Sequence, residues 1–296
     1  MNIINNFTFA NRSYQSRPSI NKQENVLRFK NELLSDTVSF GSSNKCVVGE
    51  NGIWENCNYT KLFREDVDWK ELAKYLDEKY KNHDHPQITC FACSDGSEVY
   101  TLILSLIDEL GEDRAQKFFP ISAVDISGEI IEIANSGEIY LSSADIKKLD
   151  SELKNIDINE YLEGVGEKGD KKDSKYKVLE KLADKVNFRQ GDILKEKIDS
   201  DVVMFRNAWT FNSIYDQKML SRKLKNELKE GQIVMIGNGD LQLSNAKEYL
   251  TDEGFNEIDN KVNRNIPFSP EYINMNTIGN PRMQKFFNKR GLIYEK

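Results

Sequence analysis

The sequence predicts an α/β fold on a mostly parallel, doubly wound sheet, and three observations predict it. Short apolar runs alternate with helix-length stretches whose apolar residues recur three and four apart, the pattern of successive β-α-β units. Of the 296 residues, 39% are hydrophobic, enough for a buried core. The apolar runs end in small or polar residues that open into helices, as expected where a ligand sits beyond the carboxyl ends of parallel strands.

The elements follow in order. Residues 1–55 are rich in Asn, Ser, Gln and Thr with aperiodic apolar residues, so a mostly disordered polar arm is expected there. The fold proper is expected over residues 56–296. Trp69, Leu72, Tyr75, Leu76 and Tyr80 share a helical face, with Asp66 or Asp68 available as its cap. Gln87 to Cys93 follows Pro86 as a buried strand, and Ser97 to Leu110 is a strong helix that Gly111 ends. Phe119 to Val124 and Ser127 to Asn135 repeat the strand-helix alternation. Dense mixed charge over about 142–184, including Glu-Lys-Gly-Asp-Lys-Lys-Asp at 167–173, predicts a solvated insertion with a flexible tip. Strands resume at Val186 to Phe188, Asp201 to Phe205 and Gln232 to Ile236, with a helix carrying Met219, Leu220, Leu224 and Leu228 between the last two. The tail predicts a last helix and an antiparallel pair, with Gln284 to Phe287 as one strand.

Composition excludes several function classes. With 48 acidic against 41 basic residues the net charge is −7, which argues against a nucleic-acid partner. No segment approaches the 18 uninterrupted apolar residues of a membrane span, and Met1 to Ile20 lacks a secretory apolar core, so a cytoplasmic protein without a membrane partner is expected. Cys90 and Cys93 form a Cys-x-x-Cys pair, which keeps a redox site in view, although they sit in a strand-like apolar run. Zinc would need two more ligands; His83 and His85, the only histidines, lie on a polar connection, so no metal is expected.

The strand ends carry the chemistry. The first is Ala92-Cys93-Ser94-Asp95-Gly96-Ser97-Glu98, a small-residue turn leading into a helix N-terminus, without the glycine fingerprint of dinucleotide sites. The second ends in Asp125, whose carboxylate suits both hydroxyls of a ribose, or else caps the following helix. The third ends in Gly191-Asp192-Ile193, where an acid can receive an adenine amino group and Ile193 can pack on the ring. The fourth ends in Arg206-Asn207. Acids after the second and third strands, with no phosphate cradle, suit a nucleoside lacking a pyrophosphate. S-adenosylmethionine is such a ligand, and its sulfonium tolerates an acidic site.

Across about 56–240 the chain resembles the CheR-type chemoreceptor methyltransferases. Asn58-Tyr59-Thr60-Lys61-Leu62-Phe63-Arg64 is similar to the family's N-x-T-x-F-F-R, Cys93 to Thr101 to its C-S-T-G-E-E-P-Y-S, and Val124-Asp125-Ile126 to its T-D-I. Ala134 to Tyr140, Val186 to Ile193 and Phe205-Arg206-Asn207 resemble A-x-x-G-x-Y, V-x-F-x-x-x-N-L and C-R-N, all in the family's order. The resemblance implies a Rossmann-like class I methyltransferase fold of seven strands, with an antiparallel C-terminal strand. It also implies S-adenosyl-L-methionine as cofactor, surrounded by Asn58, Thr60, Arg64, Ala92, Glu98, Asp125, Asp192, Ile193 and Asn207. Arg64 and Glu98 would take the methionine carboxylate and amino groups; a surface salt bridge of Arg64 with Glu65 or Asp68 is the plainer alternative.

Departures from the family narrow the functional reading. Its N-terminal helical docking domain is replaced here by the polar arm, and Phe211 stands where a tyrosine is usual. Ala92 replaces a glycine, Ser97 a glutamate, and Asp192 an asparagine. Arg206 and Phe211 are the candidates for the acceptor side, with Trp209 and Phe211 expected to wall its pocket. The reading is a methyltransferase acting on a carboxylate of a protein or small acid; the alternative is a non-catalytic binder of S-adenosylmethionine or S-adenosylhomocysteine that presents its arm to a partner.

Overall fold

The computed structural model describes residues 60–167, 174–258, 261–264 and 291–296, together with an antiparallel pairing of Val47–Val48 with Trp54–Glu55. Helix α1 (Trp69–Lys79) is capped by Asp68, whose carboxylate accepts the Glu71 amide. It buries Trp69, Leu72, Ala73 and Leu76 and packs on α2 (Ser97–Leu110), which follows strand β1 (Ile88–Phe91). Each large side chain buried this way contributes roughly 1.5–3 kcal/mol. After the short α3 (Glu112–Ala115) come β2 (Ile121–Asp125) and α4 (Gly128–Ser136). Ser127 caps α4, and Gly137, at φ 65°, ends it in the left-handed conformation that glycine adopts without strain.

Next the chain leaves the main sheet. Strand β3 (Glu138–Leu141), helix α5 (Ser143–Glu152), β4 (Leu162–Glu167) and β5 (Ser174–Val178) form an appendage in which three antiparallel strands run in the order β3-β5-β4. A packed unit thus stands where charge density suggested a solvated insertion. Leu141, Leu149, Leu153, Tyr161, Leu162, Val178 and Leu182 are all buried, supplied at wide spacing among the charges so that no single window looks apolar. The segment 168–173 lies outside the described residues.

The chain then passes through α6 (Glu180–Ala183) into β6 (Val186–Gln190), crosses to β7 (Val202–Met204), and continues through α7 (Ile214–Glu227), β8 (Ile233–Met235), α8 (Asn238–Leu243), α9 (Ala246–Asp252), β9 (Asn256–Ile258) and β10 (Ile293–Glu295). The main sheet has seven strands in the order β9-β10-β8-β7-β1-β2-β6, and only β10 runs antiparallel to its neighbours. The expected architecture is therefore the observed one. The last helix and the antiparallel pair are also present, while Gln284 to Phe287 and most of the polar arm lie outside the described residues.

Strand β1 sits at the reversal of strand order: β2 and β6 extend the sheet on one side and β7 and β8 on the other, so the crevice opens at its carboxyl end. In register, Cys90 lies opposite Ala123 of β2 and Met204 of β7. All four residues of β1 are buried, and Leu102, Ile103 and Leu106 of α2 fill the layer against it without exposure.

The turn from β1 into α2 depends on Gly96. Its φ is 87°, and a Cβ there would lie 2.5 Å from the Phe188 ring. Gly96→Ala therefore meets both backbone strain of about 1–2 kcal/mol and a side-chain clash. Chemical denaturation should show a loss of at least that size, partly recovered in Gly96→Ala/Phe188→Leu; full stability of the single variant would contradict the packing described.

Candidate active site

The strand tips are stitched together by backbone groups. The Cys93 amide donates to the Val124 carbonyl (3.1 Å), and the Gly191 amide donates to the Asp125 carbonyl (2.9 Å), which joins the ends of β1, β2 and β6. Asp125 itself is buried. One carboxylate oxygen accepts the Ser94 amide at 2.9 Å and the other the Ser127 amide at 3.0 Å, while Ser127, not Asp125, caps α4. Each oxygen keeps a second acceptor position, so the carboxylate is fixed in place and still able to bind. Ile126 beside it is 67% exposed, an apolar side chain left uncovered at the crevice rim that motif reasoning passed over.

Turn geometry holds this arrangement. Ala92 and Ser94 have positive φ (54° and 53°), Ala92 is exposed, and Asp95 accepts the Ser97 amide at 2.9 Å. Burial raises the Asp95 carboxyl above its ordinary value, against the pull of Ser97.

The N-terminus of α2 presents Glu98 to a group of charges. Its Oε2 lies 2.6 Å from Arg206 Nη1 and 3.6 Å from Arg64 Nε. Arg64 thus pairs across the fold with Glu98. The segment carrying Arg64 is held to α2 by the Phe63 amide, which donates to Thr101 Oγ1 at 3.0 Å; Thr60, three residues earlier, is buried. Asn58 lies outside the described residues.

The Arg206 side chain is wholly buried. Its guanidinium sits 5.3 Å from the Trp69 ring centroid and donates to Asp66 at 2.8 Å. Burial favours deprotonation, but Asp66 and Glu98 outweigh it and hold Arg206 firmly protonated. Asp66 is likewise pushed up by burial, yet Arg206 and the Asn238 amide bring it below its ordinary value.

Asn207 completes the end of β7. At φ 53°, its Oδ1 accepts the Gly239 amide (3.0 Å) and its own amide donates to Asp240 (2.5 Å). Its Nδ2 is buried and has no hydrogen-bond partner among the described residues. Asp240, fully buried, also accepts the Gly237 amide at 3.0 Å. Sequence reasoning missed Asp240 and Asp66. The first carries a weak local signal, an acid in the first turn of α8; the partner of the second is 140 residues away.

The other expected site residues differ in their surroundings. Asp192 turns back on its own loop, accepting the Leu194 amide (2.9 Å) and pairing with Lys195 (2.9 Å), and Ile193 is buried. Trp209 is core: it has no exposure and lies edge-on to Phe205 at 5.8 Å, so the expectation that it lines a pocket gives way. Phe211 is half-buried in the turn Trp209–Phe211. Cys90 and Cys93 are both free and buried, Cys90 directed at Met204 Sδ (3.6 Å). Burial pushes both thiols far up, which removes the thiolate character that redox chemistry needs. His83 and His85 are exposed.

Comparison with known proteins gives the family. The family description "CheR methyltransferase, SAM binding domain" matches residues 58–257. A chemotaxis protein methyltransferase of Borreliella burgdorferi is 26% identical over 204 residues, 65% of this chain and 68% of that protein. Among solved structures, the magnesium protoporphyrin IX methyltransferase of Synechocystis, with bound SAM, has a TM-score of 0.33 at 11% identity, over 64% of this chain and 69% of the other. The methyltransferase domain of a bacterial CtHen1 has a TM-score of 0.31 at 12% identity over 56% of this chain, which spans 64% of that domain.

Burial raises the Asp240 carboxyl from 3.8 to about 7 despite the amides it accepts. Because the folded-state value lies above the unfolded one, the native state binds more protons between those two values, and stability falls as pH rises from about 4 to 7. Asp240→Asn should remove this component, on the order of a few kcal/mol by linkage. Denaturation of both proteins at pH 5 and pH 8 reads it; identical pH slopes would refute the shift.

Proposed function

The chain belongs to the CheR methyltransferase family and is an S-adenosylmethionine-dependent methyltransferase, and from that premise we propose that it methylates a carboxylate oxygen on a protein partner. In this reading Glu98 receives the ammonium of the cofactor's methionine end and Arg64 its carboxylate, each through a charge-assisted bond. Asp125 takes the ribose hydroxyls with its free acceptor positions, and the exposed Ile126 offers an apolar face to the base. Asp192 and Ile193 stand on the adenine side. The observation that carries the reading is the placement of an acid–base pair, Glu98 with Arg64, and a buried acid, Asp125, at adjoining strand tips. Asn207 Nδ2, a buried donor with no partner among the described residues, fits a ligand acceptor.

When bound, S-adenosylmethionine supplies a methyl group on a sulfonium, and the carbon–sulfur electron pair leaves with sulfur. The protein's part is to hold the acceptor in line and exclude water. An ionised carboxylate needs no base, which suits this chain: His83 and His85, its two histidines, precede β1 and so belong to the opposite end of the sheet from the crevice. Phe211, which replaces the family tyrosine, lies on the proposed acceptor side and offers no proton-transfer group.

Calorimetry with S-adenosylhomocysteine should show that Asp125→Ala and Glu98→Ala each weaken binding at least tenfold, about 1.4 kcal/mol; unchanged affinity in both refutes the site. Transfer of labelled methyl to protein should yield an alkali-labile ester. Alkali-stable label would overturn the carboxylate, and binding without any transfer would favour a non-catalytic regulatory role, to which Phe211 lends support.

A further inference from the structure

The charged group around Glu98 contains a carboxylate that neither the motifs nor the proposed cofactor contacts use. Asp66 lies between Arg64 and α1, 13% exposed at its side chain, and the helix cap next to it is taken by Asp68. Its Oδ2 is shared by two donors from the far side of the crevice: Arg206 Nη2 at 2.8 Å and the Asn238 amide, at the start of α8, at 3.1 Å. The backbone around it is fixed as well. The Asp66 carbonyl accepts the Arg264 amide at 3.1 Å, and Val67 bridges Asn263.

The consequence is electrostatic. Arg206 has no contact with solvent, so its charge must be met by carboxylates inside the protein. Among the described residues two lie within salt-bridge distance of it, Asp66 and Glu98, and Glu98 also faces Arg64. Arg64, Arg206, Glu98 and Asp66 together sum to zero. Without Asp66, Glu98 would be left as the carboxylate within salt-bridge distance of Arg206 among the described residues, and it meets both Arg206 and Arg64 through one oxygen, Oε2. A carboxylate so engaged is a poor acceptor for a third cation.

We propose that Asp66 is a positioning residue for the amino-acid end of the cofactor: by taking up the charge of Arg206 it leaves Glu98 able to bind an ammonium and Arg64 able to bind a carboxylate. The inference rests on the reading of Glu98 given above. It predicts an effect confined to ligands that carry the amino-acid end.

The test compares S-adenosylhomocysteine with 5′-methylthioadenosine, which has the nucleoside and sulfur but lacks the ammonium and carboxylate. Both are titrated, by calorimetry or by competition, into the wild-type chain, Asp66→Asn, Asp66→Glu and Glu98→Ala. Asp66→Asn should weaken S-adenosylhomocysteine at least tenfold and 5′-methylthioadenosine less than twofold, with Asp66→Glu recovering part of the loss. Equal weakening of both ligands, or no change in either, overturns the proposal. If Asp66→Asn fails to fold, Asp66→Glu decides: it moves the charge, and must also affect the first ligand more than the second. The Glu98→Ala variant separates the two claims. Selectivity there but none at Asp66 defeats this inference alone, whereas no selectivity at Glu98 defeats the reading beneath it.

Discussion

One buried cation organises the site. The Arg206 side chain is wholly shielded from solvent, and leaving such a charge uncompensated would cost several kcal/mol. It is compensated by Asp66 from the segment before α1 and Glu98 from the first turn of α2, while the Trp69 ring covers one face. Two parts of the chain distant in sequence from Arg206 are therefore fixed relative to the end of β7. Asn207 follows immediately, and Asp240 holds its amide. Meeting the desolvation of one group thus sets the positions of the residues around it.

The sheet supplies the second constraint. Because the strand order reverses at β1, the sheet opens a crevice beyond the carboxyl ends of β1 and its neighbours, and the tips of β2, β6, β7 and β8 lie along the same edge. Backbone amides tie those tips to one another and to Asp125, so the carboxylate arrives already oriented. A ligand meeting such a surface loses less in ordering the protein than one that must assemble it.

Much of this was legible in the sequence. Helix α2 falls at Ser97–Leu110 as its three-and-four spacing requires, and the alternation of strands and helices gives the sheet. Glu98, Asp125 and Asn207 do stand just beyond strand ends, where a parallel sheet directs attention. What was not legible depends on distance and on sparse burial. Asp66 and Arg206 are 140 positions apart, and no local pattern marks them as partners. Trp209 stood beside polar residues and looked like a pocket wall, yet it packs on Phe205 inside the core. The appendage was hidden by its charges, since the few apolar residues that hold it together are spread over forty positions.

The balanced charges around Arg206 also act as a filter. Four groups whose charges cancel produce a field that falls off quickly and is little altered by salt, so they exert no long-range pull on ions of either sign. On the proposed reading of Glu98 and Arg64, a ligand would be favoured there by bringing a positive and a negative group at matching separation. A polyphosphorylated nucleoside, which brings negative charge alone, would gain little from such a dipolar surface.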